Sequence, residues 1–138
     1  MDGEADCVVI SPNETYHGRQ DFDFLSGVSA QTAGSKALCM HLVTIPPHGR
    51  AKPHFHERHE MAIYILSGEA RMWYGEGLRR HLTVRAGEFL YIPANMPHLP
   101  YNASETAPCI GVVARTDPNE QESVTLVDTP DPAATAGA

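Results

Sequence analysis

Residues 49–68 of the chain read GRAKPHFHERHEMAIYILSG, and they contain a strong indication of the fold. Its second half, Met61 to Ser67, is a continuous apolar run with β-branched and aromatic members. The run is bounded by Gly68, a pattern typical of a buried strand. In the first half, one residue separates His54 from His56. Because alternate residues of an extended strand face the same side, both imidazoles are predicted to point to one place.

The histidines of this stretch predict a metal site. Four of the eight histidines in the chain, His48, His54, His56 and His59, lie close together around it. Glu60 has the same parity as His54 and His56 and would add a carboxylate to their face. Neutral imidazole and carboxylate are ligands for zinc, iron, manganese and nickel. An isolated pair of this spacing is usually a solvated polar face, but the crowding beside a glutamate favours a site.

Residues 87–102, which read GEFLYIPANMPHLPYN, carry a further histidine. A predicted strand ends at Pro93, the chain turns through Asn95, and His98 follows Pro97. A lone histidine between prolines is more often a turn residue than a ligand. His98 is therefore a candidate metal ligand only when it is considered together with the histidines of the first segment. Tyr101, three residues later, is a candidate phenolic donor near the site.

The rest of the chain reads as short strands separated by turns. No long stretch shows helical periodicity, and turn signals recur at about 8–12 residues, which is typical of an all-β sandwich or barrel. The further strand candidates are Leu38–Ile45, Ala70–Tyr74, His81–Val84, Phe89–Ile92, Cys109–Ala114 and Ser123–Val127.

Together the two histidine segments resemble the cupin superfamily of small jelly-roll barrels. The family's second motif is matched at Gly87, Pro93, His98 and Asn102, with Asn95 in place of the turn glycine. Asparagine tolerates the left-handed backbone conformation that glycine would supply, so this departure is mild.

The family's first motif is matched at His54, His56, Glu60 and Gly68, and its opening glycine is displaced by one residue to Gly49. The resemblance implies an all-β chain with a single jelly-roll barrel of antiparallel strands. We expect the barrel at residues 36–116, an N-terminal arm at 1–35, and a C-terminal strand with a flexible tail at 117–138.

One departure from the first motif leaves the metal shell open. Seven residues separate Glu60 from Gly68, one more than in the family pattern. Counting back from Gly68 reaches Met61, which has no carboxylate. With the register displaced, a bulge near Glu57 and Arg58 would aim His59 inward. The shell is therefore three histidines with Glu60, or the four histidines His54, His56, His59 and His98.

Charge and hydropathy exclude two classes of partner. The formal net charge of -7 argues against a nucleic acid, which needs a basic face. No apolar run approaches the ~18 residues of a membrane span, and the first residues are acidic rather than signal-like. We therefore expect no membrane partner and a cytoplasmic location.

The resemblance implies a metal-dependent enzyme, similar to cupin-type polyketide cyclases and small cupin dioxygenases. We expect one divalent metal ion, with zinc ahead of iron, manganese or nickel. The favoured activity is non-redox cyclisation or isomerisation of an aromatic or polyketide-like carbonyl substrate in an apolar barrel. His59, Glu60 and Tyr101 are the candidate catalytic residues.

Two other functions remain open at this point. One is a non-haem Fe(II) dioxygenase acting on an aromatic substrate, and the other is a non-catalytic cupin that binds a metal or ligand. We also expect a homodimer, because an exposed barrel edge and the strand Ser123–Val127 would both benefit from pairing with a second copy.

Overall fold

The computed structural model describes residues 5–121 and 123–132, which contain eleven strands and two helical turns. The strands are Thr15–His17 (β1), Asp23–Val28 (β2), Cys39–Ile45 (β3), His54–His56 (β4), Met61–Ser67 (β5), Glu69–Tyr74 (β6), Arg80–Arg85 (β7), Phe89–Ile92 (β8), His98–Tyr101 (β9), Cys109–Arg115 (β10) and Val124–Leu126 (β11). The helical turns are Ala30–Ala33 (α1) and a 3-10 turn at Glu76–Leu78.

The strands form two antiparallel sheets around one apolar core, which confirms the predicted jelly-roll barrel. The six-stranded sheet has the order β1-β2-β3-β10-β5-β8, and the five-stranded sheet has the order β11-β4-β9-β6-β7. No helix among the described residues has the length and apolar character needed to cross a lipid bilayer.

Strict alternation along β10 shows how the sequence builds the inner wall. Cys109, Gly111, Val113 and Arg115 are buried, and the residues between them are half-buried. β10 lies between β3 and β5, where Val113 is opposite His41 on one side and Ile63 on the other. β10 therefore turns every second residue toward the core, as expected for a strand with one buried face.

The N-terminal region is more than the arm that the sequence predicts. β1 and β2 extend the six-stranded sheet, and β2 pairs with β3 with Phe24 opposite Val43. Phe22 and Phe24 belong to the core cluster. They alternate with Asp21 and Asp23, a short period-two pattern that fits a strand with one buried face.

The C-terminal strand predicted at Ser123–Val127 is β11, which pairs with β4 so that Leu126 is opposite His54. Beyond it, the Asp131 carboxylate accepts two hydrogen bonds of 2.7 Å from the Arg50 guanidinium. Of the tail predicted to be flexible, residues 133–138 lie outside the described part of the chain.

The outer face of the six-stranded sheet is apolar as well. Leu66, Phe89 and Tyr91 are exposed there, and the Tyr64 ring packs on Phe89 with centroids 4.6 Å apart. β8 is an edge strand, so this face ends at an open edge. Because β11 already pairs with β4 in the same chain, this face and edge are now the main support for the homodimer, which stays a prediction.

The turn between β5 and β6 depends on the missing side chain of Gly68. Its φ is +80°, and a Cβ there would press against the carbonyl oxygen of Pro108 and lie 2.9 Å from the Cα of Cys109. Gly87 has a similar φ of +87°, but a Cβ there would meet no atom within 4 Å. The two glycines thus share the conformation and differ in the space around them.

Gly68→Ala should therefore lower the free energy of unfolding by about 2 kcal/mol more than Gly87→Ala. Both variants carry the left-handed backbone cost of ~1–2 kcal/mol, and Gly68→Ala adds a clash with backbone atoms that cannot move aside easily. Urea unfolding followed by the fluorescence of Trp73 measures the difference. Equal losses in the two variants would show that the approach of Pro108 does not constrain this turn.

Candidate metal centre

Three histidines from two strands that are distant in sequence meet inside the barrel. His54 and His56 lie on β4, and His98 begins β9 directly opposite His54. The ring centroids of His54 and His98 are 4.3 Å apart, and each lies within 5.3 Å of the His56 ring centroid. One nitrogen of each ring lies within 4.8 Å of those of the other two. All three side chains are buried, so the predicted convergence occurs.

Backbone carbonyls fix the orientation of two of the rings. His54 Nδ1 donates to the carbonyl oxygen of Lys52 at 2.6 Å, and His98 Nδ1 donates to that of Met96 at 2.8 Å. A carbonyl only accepts, so Nδ1 carries the hydrogen in each neutral ring. Nε2 then keeps the lone pair that a metal requires.

Burial keeps all three imidazoles neutral. It lowers the pKa of His98 to about 4. It also holds the pKa of His54 well below its ordinary value, with a further contribution from the charge of His98. For His56 the pKa falls for the same reason, followed by the charge of Arg115. At neutral pH each ring is therefore in the form that ligates metal ions.

The surroundings of the His56 ring indicate whether a metal ion fits this cluster. Both of its ring nitrogens are buried, and neither has a hydrogen-bond partner in the described part of the chain. A buried polar atom left without a partner costs ~1–3 kcal/mol, and an ion bound to one nitrogen would remove part of that cost. Three imidazoles also leave coordination positions open for water or substrate, as catalytic sites do.

Asn95 ties the two histidine segments together. Its backbone N–H donates to the carbonyl oxygen of His56 at 3.0 Å, and its side-chain Oδ1 accepts from the N–H of Arg58 at 3.1 Å. Its φ of +65° is the left-handed conformation expected of a residue that replaces a turn glycine. The loop that precedes His98 is therefore anchored on β4.

The structure does not bring Glu60 into the cluster. Glu60 is exposed, and its carboxylate accepts a hydrogen bond of 2.7 Å from the hydroxyl of Tyr91. Arg58 has a φ of +65°, so a turn interrupts the extended chain between β4 and β5 and shifts the parity that the prediction assumed. Met61, which is buried and lines the cavity beside His54 and His98, takes the inward position.

His59 lies beside the cluster rather than in it. Its Nδ1 is 2.6 Å from the hydroxyl oxygen of Ser123 and 3.6 Å from a carboxylate oxygen of Asp117. The Ser123 hydroxyl donates to the carbonyl oxygen of Glu57, so it accepts from His59 Nδ1–H. His59 is close enough that its charge lowers the pKa of His56, but the described residues do not assemble a shell of four histidines.

Tyr101 points away from the predicted site. Side chains alternate along β9, so the three-residue spacing from His98 puts Tyr101 on the opposite face of the sheet. There its hydroxyl is 2.7 Å from His81 Nε2, and the Arg50 guanidinium lies 4.4 Å from the centre of its ring. The interpretation of Tyr101 as a donor at the site is therefore corrected.

Two of the three histidines, His54 and His98, form part of the wall of a largely apolar cavity of about 50 Å³. Side chains of both sheets line it, and its polar members include Gln20, His54, His98 and Arg115. An apolar barrel was predicted from the sequence, and Arg115 was not predicted in its wall. The signal was present, because Arg115 continues the inward alternation of Cys109, Gly111 and Val113.

Asn102, the last residue of the second motif, has a structural role. Its side-chain amide donates to the carbonyl oxygens of Ile45 and Ala107 at 3.1 and 2.8 Å, and its Oδ1 accepts from the N–H of Ser104. This buried amide fixes the loop between β9 and β10 and does not contribute to the cluster of histidines.

Zinc titration of variants distinguishes a metal shell of three histidines from one that includes Glu60. His56→Ala should lower zinc affinity by at least about 100-fold, because one of three imidazoles is removed. Glu60→Gln should leave the affinity within about twofold, since its carboxylate faces solvent. Competition with a chromophoric chelator, together with elemental analysis, measures both.

His48→Gln is the matched control, since His48 is exposed and lies outside the cluster. Circular dichroism of each metal-free variant checks that it is folded. A loss of zinc affinity in Glu60→Gln as large as that in His56→Ala would contradict the shell of three histidines.

Comparisons with known proteins agree with this architecture. Residues 41–114 match the family model described as the cupin domain. Germin-like protein 3-1 of rice, Oryza sativa subsp. japonica, is 30% identical over 102 residues. The match covers 72% of this chain and 45% of the rice protein, so the chain spans less than half the length of that relative.

Solved structures support the same fold. An oxalate oxidase bound to the substrate analogue glycolate is 24% identical with a TM-score of 0.62, and the match covers 79% of this chain and 60% of that one. A mutant of the Bacillus subtilis oxalate decarboxylase is 21% identical with a TM-score of 0.65, covering 93% of this chain and 34% of that one. With the family match over more than half of its length, the chain belongs to the cupin family.

Proposed function

We propose that the chain is a metal-dependent enzyme that isomerises a small carbonyl compound without redox chemistry, by moving a proton at the carbon next to the carbonyl group. The observation that carries this proposal is the convergence of three buried, neutral imidazoles, two of which, those of His54 and His98, lie on the wall of a largely apolar cavity. A site built only to store an ion needs no adjoining room for a second molecule, whereas a catalytic site does.

The size of the cavity limits the substrate. An engineered cavity of about 150 Å³ in a protein core binds benzene. The space here is about 50 Å³, so we favour a substrate of few heavy atoms over the aromatic or polyketide-like substrate and the cyclisation expected from the sequence. The names of two structural neighbours, oxalate oxidase and oxalate decarboxylase, also refer to a small molecule.

His54, His56 and His98 would hold the ion. A divalent ion in this position would supply a Lewis acid that stabilises negative charge on a carbonyl oxygen of the substrate. The apolar side chains around the cavity keep bulk water away, which strengthens electrostatic interactions there.

His59 is the residue that we assign to proton transfer. Ser123 accepts its Nδ1–H, so Nε2 carries the lone pair that takes a proton. The buried carboxylate of Asp117, 3.6 Å from Nδ1, stabilises the positive charge that the ring then acquires. The side chain of His59 is 30% exposed, which lets the ring exchange the proton with water. The matching prediction for Glu60 is not carried forward, because that carboxylate faces solvent.

Oxidation of a small substrate by dioxygen is the second candidate. Imidazole ligands suit Fe(II), and the same open positions that accept a carbonyl oxygen would accept dioxygen. A non-catalytic binding role is the third. The three functions differ in what they consume, so one set of measurements separates them.

Deuterium incorporation in D₂O is the test of the favoured function. Protein loaded with zinc should exchange, for deuterium, the proton on the carbon next to the carbonyl of a small aldehyde acid or keto acid, with no consumption of oxygen. The exchange is followed by NMR. His56→Ala should abolish the exchange, and His59→Gln should slow it by about 100-fold or more, as expected for the loss of a general base.

His48→Gln, a histidine change outside the cluster, should exchange at the rate of the unmodified protein. Oxygen consumption by the Fe(II)-loaded protein without exchange by the zinc-loaded protein would establish the dioxygen alternative instead. No turnover with zinc, iron, manganese or nickel would leave metal or ligand binding as the function.

A further inference from the structure

The outer face of the six-stranded sheet carries two rows of apolar and aromatic side chains. The strand pairings place these side chains next to one another from β2 through β3, β10 and β5 to β8. Along β3 and β10 they alternate with the buried residues, so they point away from the core. One row is Leu25, Leu42, Val112, Tyr64 and Phe89, and the other is Val28, Met40, Ala114, Ala62 and Tyr91.

This outer face has no charged side chain on β3, β10, β5 or β8, although the chain has a net charge of -7. Two acidic molecules repel each other where their charged surfaces meet. A neutral face is therefore the place where two copies of this chain can approach with the least repulsion. An anionic membrane surface would instead select a face with Lys and Arg.

The size of the face matches a small dimer interface. Five strands about 4.8 Å apart span roughly 20 Å, and seven-residue strands such as β3 and β10 are about 23 Å long. In projection the face therefore measures on the order of 450 Å², and the relief of its side chains adds to this area. Two copies packed face to face would bury about 1,000 Å² in total, which is the lower limit for a specific interface.

The two ends of the face have complementary shapes. At the β8 end, Phe89 is 79% exposed and Tyr91 is 59% exposed, so both rings project from the sheet. At the β2 end, a crevice of about 290 Å³ lies between the N-terminal segment and the sheet. Because an apolar space of about 150 Å³ binds benzene, the crevice has room for a phenylalanine ring. Its lining includes Ile10, Pro12, Leu25, Met40, Leu42 and Val112.

β10 lies midway between these two ends. β3 and β2 follow it on one side, and β5 and β8 follow it on the other. A two-fold axis parallel to β10, between two copies packed face to face, brings β8 of each copy over β2 of the other. Sheets packed in this way lie about 10 Å apart with strands within about 30° of each other, so their side chains interdigitate. The same contact between ring and crevice is then made twice.

We propose that the chain forms a homodimer through this face, with the Phe89 ring of each copy seated in the crevice that Ile10, Met40 and Leu42 line in the other copy. The proposal names the interface of the homodimer expected from the sequence, and it does not depend on the proposed function. It also gives the N-terminal segment a role in assembly, because Ile10 and Pro12 form part of the crevice.

Opposite charges introduced at the two ends of the face test the proposal. Sedimentation velocity of the whole chain at about 20 µM should show a dimer. Phe89→Lys and Met40→Glu should each weaken the dimer by at least about 100-fold, because each change places an unpaired charge in the interface twice. An equimolar mixture of the two variants should dimerise again. In the mixed dimer the new ammonium group meets the new carboxylate, and the second contact is unaltered.

Leu126→Glu is the matched control, because Leu126 is 52% exposed and lies on β11 of the other sheet. This variant should dimerise with an affinity within about twofold of that of the unmodified chain. Circular dichroism and zinc content check that each variant keeps the barrel and the candidate metal centre. If Met40→Glu does not fold, Pro12→Glu replaces it, since Pro12 is exposed and lines the same crevice.

Three results would overturn the proposal. The first is a monomeric unmodified chain at the same concentration. The second is a Met40→Glu variant that dimerises as tightly as the unmodified chain while Phe89→Lys does not, which is the result expected if two copies pair through the open edges of β8. The third is a mixture of the two variants that stays monomeric.

Discussion

The pairing of His54 with His98 across β4 and β9 is the contact on which the site depends. It joins a segment near the middle of the chain to one more than forty residues later, and it does so where both side chains point into the core. Burying imidazoles is unfavourable unless their nitrogens find partners. The backbone carbonyls of Lys52 and Met96 accept hydrogen bonds from one nitrogen each of His54 and His98. Both ring nitrogens of His56 lack a hydrogen-bond partner among the described residues.

The barrel itself could be predicted because its strands are short, apolar and punctuated by turn residues. β5 and β8 occur with the bounds expected, and Asn95 adopts the left-handed conformation for which it was expected to replace glycine. The three histidines were identifiable because a spacing of one residue and a proline-flanked histidine match the two motifs. The face of each strand that points into the core was harder to predict, since β5 and β8 carry apolar side chains on both faces.

Errors arose where a local backbone feature changes the parity of a strand. Glu60 was expected inside because its spacing from His56 assumed extended chain, and the turn at Arg58 breaks that assumption. Tyr101 was placed near the site by sequence proximity to His98, although an odd spacing on a strand reverses the face. Arg115 was missed because a charged residue at the end of an apolar strand reads as the start of a loop. Burial of such residues depends on tertiary packing, which spacing alone does not report.

The most direct measurement is anomalous diffraction from crystals of the zinc-loaded chain, collected on both sides of the zinc absorption edge. The account predicts one strong peak about 2.1 Å from a nitrogen of each of His54, His56 and His98. The carboxylate of Glu60 should lie beyond bonding distance, hydrogen-bonded to Tyr91. A peak bound by Glu60 or by His59, or the absence of zinc from the three imidazoles at full occupancy elsewhere, would contradict it.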